Sequence, residues 1–93
     1  VHTSMFYLFE KQPPVQRNYT EKQGQCLAFI YYYTKIHRQS PAEADMQRYF
    51  QVSPPSVHQM ILSLERLGLI ERIPGQGRSL KLLLAREQLP DLM

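Results

Sequence analysis

The chain has 93 residues, of which 43% are hydrophobic and 20% charged, and 11 Lys and Arg against 8 Asp and Glu leave a net charge of +3. That suffices for one core, since a second would need roughly 50 more residues, and it is too apolar for wholesale disorder. The longest apolar run, Cys26 to Tyr33, has eight residues where a membrane span needs about 20, and the lone cysteine excludes an internal disulfide framework.

The N-terminus lacks the basic region and apolar stretch of a signal peptide, so a reducing cytoplasm is the expected compartment. His2, His37 and His58 have no ligand-like spacing, so neither a metal nor a cofactor is expected. A charge of +3 permits a nucleic-acid partner without demanding one.

Residues 1–19 read as an arm, with the aromatic block Met5-Phe6-Tyr7-Leu8-Phe9 ended by Pro13-Pro14. So many bulky apolar groups in a row predict docking, on this domain or on a second copy. From Thr20 the chain reads as helix. Thr20 and Gln23 fit a capping box, and Cys26, Leu27, Ile30 and Tyr33 or Thr34 then recur at helical spacing to about His37. Gly24 in the early turns opposes that helix slightly. Cys26 falls on the apolar stripe and is expected to be a buried, inert thiol.

Ser40-Pro41-Ala42-Glu43 predicts a second helix with Ser40 as cap and Pro41 in its first position, ending near Phe50. Ser53-Pro54 repeats the signal after only Gln51 and Val52, the short connection of a helix-turn-helix. The third helix runs from Pro54 to about Leu67, with Gly68 as its stop and Val57, Met60, Ile61, Leu64 and Leu67 as its core stripe. Residues 69–73 and 79–84 then read as strands around the turn Pro74-Gly75-Gln76-Gly77, with Leu80, Leu82 and Leu84 on one face. The expected fold is α+β, mainly α: a winged helix-turn-helix over 20–84, with 85–93 as a tail.

A helix of this length fits a major groove, and its N-terminal half meets the base edges. With Val57, Ile61 and Leu64 inward, the outward face holds Pro55, Ser56, His58, Gln59, Leu62, Ser63 and Arg66. Gln59 is the best base reader, since its amide can pair bidentately with adenine, and Pro55 can meet a thymine methyl. Ser56, His58 and Ser63 complete the base-contact candidates. Only Arg66 on this face is charged, so backbone affinity must come from elsewhere. The candidates are Lys22, Lys35, Arg38, Arg48, Ser53, Arg66, Arg72, Gln76, Arg78 and Lys81. Arg78 is expected at the hairpin tip, reaching phosphate or the minor groove. The amides opening the second and third helices are further candidates for phosphate.

Thr20-Glu21-Lys22-Gln23-Gly24-Gln25-Cys26-Leu27-Ala28-Phe29-Ile30 resembles the opening helix of the LexA repressor DNA-binding domain. Ser53 to Ile61, followed by Leu64-Glu65-Arg66-Leu67-Gly68-Leu69-Ile70-Glu71-Arg72-Ile73-Pro74-Gly75, resembles its recognition helix and wing; MarR-type regulators share the last part. The resemblance covers about residues 20–84. It implies a bacterial transcriptional regulator that binds duplex DNA, usually as a homodimer on a palindrome. Here that dimer would form through the arm, the tail or both.

LexA repressors also carry a self-cleaving Ser-Lys domain. The chain ends nine residues after the wing, so that domain, and enzymatic activity, are expected to be absent. The family often has Gly where this sequence has Gln51, and a basic residue in mid-helix where it has Leu62. The alternative is a winged helix that binds protein rather than DNA, consistent with the low net charge, Leu62 and the abundant tyrosine. A ligand-responsive regulator is a third reading, for which the sequence offers no pocket.

Overall fold

The computed structural model describes residues 19–93; the aromatic block at 5–9 and its expected docking lie outside them. Helix α1 spans Glu21–His37. Thr20 opens it as expected: its hydroxyl accepts from the Gln23 amide at 3.2 Å while the Gln23 side chain accepts from the Thr20 amide at 2.8 Å. Cys26, Leu27, Phe29 and Ile30 are buried, and Tyr31, Tyr32 and Tyr33 half-buried, so more of this helix is covered than a simple surface helix would be. Gly24 has a packing reason: the Tyr19 ring lies against its α-carbon, and a β-carbon there would fall 2.7 Å from the ring.

Helix α2 is Glu43–Phe50, two residues later than Ser40 and Pro41 suggested. The position before it is Ala42, which has no side-chain acceptor. The Asp45 carboxylate takes the Ala42 amide instead, at 2.8 Å. The Ser40 hydroxyl is drawn away by the wing and accepts from the Leu80 amide at 3.0 Å. Gln51 closes α2 in the left-handed region, with φ of 55°, and supplies the reversal that glycine would make without strain.

Helix α3 spans Pro54–Arg66 with Ser53 as its cap and proline in its first turn, as the sequence indicated. Val57, Ile61 and Leu64 are buried. Leu67 is not part of that stripe. It lies at the cap, 50% exposed, because the chain turns away at Gly68, where φ is +76°.

Strands β1, Ile70–Glu71, and β2, Lys81–Leu82, pair antiparallel, Ile70 with Leu82 and Glu71 with Lys81. The ladder is shorter than the apolar alternation implied, because serine side chains take its outer bonds. The Ile73 amide donates to the Ser79 hydroxyl at 2.9 Å, and the Leu80 amide goes to Ser40. Leu80, Leu82 and Leu84 still pack on the core.

Residues 85–93 are more than a tail. A short 3-10 helix at Arg86–Gln88 brings Leu89 into the core, 7% exposed. The Gln25 side chain holds the last residues at both ends of its amide, donating to the Asp91 carbonyl at 2.9 Å and accepting from the Met93 amide at 2.8 Å. The core itself joins Leu27 and Ile30 of α1, Met46 of α2, Ile61 and Leu64 of α3, and Ile70 of β1. Each large apolar group buried there contributes about 1.5–3 kcal/mol.

Candidate nucleic-acid interface

The turn from α2 to α3 is held by the Val52 amide, which donates to the Gln47 carbonyl at 3.2 Å. It delivers α3 with one side in the core and its first turns outward: Ser53, Pro55, Ser56, His58 and Gln59 are all exposed. Gln59 has no hydrogen-bond partner among the described residues, so its amide is free for a ligand. Ser53 and Ser56 share a hydroxyl–hydroxyl bond of 2.9 Å at the helix start. His58 leans toward α2, its Nδ1 3.2 Å from a Glu43 carboxylate oxygen. Ser63 is half-buried and accepts from Arg66 at 3.4 Å.

The helix starts offer phosphate less than the sequence suggested. Pro54 and Pro55 carry no N–H, and the Ser56 amide already donates to Ser53 at 3.4 Å. At α2 the first turn holds Glu43 and Asp45, whose charges oppose an anion.

The basic candidates divide into two groups. In the first, the charge is already matched. Arg72 pairs with Glu65 at 3.1 Å and is largely covered. Arg48 pairs with Asp45 one turn before it. Arg78, expected to project from the hairpin tip, turns back onto the helices: its Nη1 lies 3.1 Å from the Asp45 carboxylate and 3.2 Å from both the Tyr33 hydroxyl and the Ser40 carbonyl. Three acceptors, one of them the nearly buried Asp45 carboxylate, hold a flexible arginine that the sequence could not place. In the second group, Lys22, Lys35, Arg38, Arg66 and Lys81 make no ion pair among the described residues, and all are exposed. Lys35 stacks over the Tyr31 ring at 5.7 Å, and Lys81 lies opposite Glu71 across the ladder. Gln76, at the hairpin turn, is exposed. The local excess of positive charge read from the wing is therefore largely neutralised inside the domain.

Asp45 is the residue that sequence reasoning passed over. It is 9% exposed and serves three partners, the Ala42 amide, Arg48 and Arg78. The Ala42 hydrogen bond, aided by the two arginines, holds its carboxyl below its ordinary value despite burial. Its position in the first turn of α2, three residues before an arginine, was the available signal. Burial pushes the Cys26 thiol up to about 12, in keeping with an inert side chain. Among the described residues no cluster of His, Cys, Asp and Glu could hold a metal, and no helix is long and apolar enough to cross a membrane.

Among the described residues, three α-helices with a tight turn between the second and third, followed by an antiparallel hairpin, define a winged helix-turn-helix domain. The chain belongs to the LexA DNA binding domain family, which matches residues 16–79. It is 34% identical over 70 residues to the LexA repressor of Thermosipho melanesiensis, an alignment covering 75% of this chain and 35% of that protein. It is 35% identical over 63 residues to the LexA repressor of Thermosipho africanus, covering 68% of this chain and 32% of that one. The chain thus spans about a third of the length of these curated relatives.

Proposed function

We propose that this domain binds double-stranded DNA sequence-specifically in the bacterial cytoplasm and regulates transcription, with α3 in the major groove and the wing along the backbone or minor groove. One observation carries the reading: in the first turns of α3, Ser53, Pro55, Ser56, His58 and Gln59 face outward from a helix whose other side, with Val57, is locked in the core. Gln59 is the proposed adenine reader, with Pro55, Ser56, His58 and Ser63 beside it. Lys22, Lys35, Arg38, Arg66 and Lys81, with Ser53 and Gln76, are the proposed backbone contacts. One helix reads only a few base pairs, so two copies on a palindrome would supply useful specificity. The proposed interface is the arm, the tail or both; in the tail, Leu89 and Leu92 already pack on their own domain.

Selection of bound sequences from a random duplex library, followed by anisotropy titration of the winner, tests this. Gln59→Ala should weaken binding by about 1–3 kcal/mol and relax preference at one base-pair position. Failure to bind any duplex at about 50 mM salt would refute the reading. Light scattering giving a monomer, with and without DNA, would remove the dimer and leave the rest. The internal pairing of Arg72 and Arg78 favours a second reading, a protein-interaction module without DNA binding. A stable protein partner alongside that failure would be its signature.

A further inference from the structure

The wing is weakly held by its own strands. Its ladder has two residue pairs, and a two-stranded hairpin of any length is marginal in water unless other elements support it. The apolar support comes from Leu80, Leu82 and Leu84 on the core. Polar support comes from the pairing of Arg72 with Glu65 on α3 and from a cluster around Arg78. Arg78 reaches Asp45, Tyr33 and Ser40, and the Leu80 amide reaches the Ser40 hydroxyl. These partners belong to the end of α1, the connection after it and the start of α2, the helix that leads into the reading helix α3.

We infer that Arg78 is a positioning residue, whose guanidinium clamps the wing to the start of α2 so that wing and reading helix present one fixed surface. This rests on the DNA-binding reading above and changes what its wing arginine does. To grip a phosphate, Arg78 would have to abandon three acceptors and leave the nearly buried Asp45 carboxylate with the Ala42 amide and Arg48 as its remaining partners. The planar guanidinium suits this post, because it spreads several donors over separate acceptors, whereas a lysine ammonium is a compact point charge on a flexible stem.

The test compares Arg78→Ala, Arg78→Lys, Asp45→Asn and Arg78→Ala with Asp45→Asn together, by anisotropy on the selected duplex across salt. Asp45→Asn keeps an oxygen for the Ala42 amide, and Arg78→Lys keeps the wing charge, so neither depends on the other remaining folded. Positioning predicts that each single variant weakens binding about five- to thirtyfold. It also predicts an unchanged salt slope and a double variant no worse than its singles. A direct phosphate contact predicts otherwise: Arg78→Lys near wild type, a slope about one unit shallower for Arg78→Ala, and tighter binding for Asp45→Asn. That pattern, or unchanged affinity in all variants, overturns the proposal. Hydrogen exchange of the Leu80 amide in the free protein separates the two readings. If wild type binds no duplex, the DNA reading fails alone. Faster Leu80 exchange in the Arg78→Ala and Asp45→Asn variants then upholds the clamp, and unchanged exchange overturns it.

Discussion

Replacing Gly24 by alanine sets two quantities of similar size against each other. In an exposed helix interior the change stabilises by about 1 kcal/mol, because glycine is the poorest helix former after proline. Here the new methyl would lie 2.7 Å and 3.1 Å from two carbons of the Tyr19 ring and 3.2 Å from a Pro90 ring carbon. The tyrosine is not free to retreat, since its hydroxyl donates to the Gln88 carbonyl. Overpacking of this kind costs about 1–3 kcal/mol, which leaves Gly24→Ala neutral to about 2 kcal/mol destabilised. With Tyr19→Ala already in place the two tightest contacts are gone and the Pro90 ring, at 3.2 Å, is the nearest neighbour left, so the same substitution should range from neutral to about 1 kcal/mol stabilising. Urea unfolding followed by circular dichroism reads both, at roughly 1 M of midpoint shift per kcal/mol for a domain of this size. A rise in midpoint of equal size in both backgrounds would refute the packing of Tyr19 on Gly24.

Gln51→Gly should stabilise the domain by up to about 1 kcal/mol, since it relieves a left-handed residue at the α2 terminus, and thermal melts should show a higher Tm. Asp45 is more acidic in the folded domain than its ordinary value of 3.8, so its contribution is intact above that value and is lost as pH falls through the lower folded one. Acid unfolding of Asp45→Asn should therefore vary less with pH below about 4 than that of the parent protein. Cys26 should resist a neutral thiol reagent under native conditions and react at the rate of a free thiol once unfolded in urea; rapid labelling of the native protein would contradict its burial.

Features encoded by neighbours in sequence were legible, and those decided across the fold were not. Thr20 with Gln23, Ser53 with Pro54, and Gly68 each act within one helical turn, and each lies where the residues implied. Ser40 has the chemistry of a cap, yet the Leu80 amide, forty residues away, takes its hydroxyl. Leu67 has helical spacing but falls where the backbone reverses. Arg78 sits beside glycines at a hairpin turn, a signature of exposure that says nothing of a carboxylate waiting on α2. Leu89 is buried although Pro90 follows it, because a 3-10 turn suffices to carry it inward. The outward face of α3 was readable because its apolar partners repeat at helical spacing. The matching of the basic groups was not, since long side chains choose their acceptors in three dimensions.

The stitching of residues 88–93 to Tyr19, Gln25 and Tyr49 brings both edges of the described chain to one corner. Under tension applied between Tyr19 and Met93, this seam is the first to carry load. Its hydrogen bonds lie near the surface and would open one after another, at low force, before Leu89 leaves the core. Opening the seam would therefore free residues 88–93 before it disturbs Leu27, Ile61 and Leu64, which are fully buried.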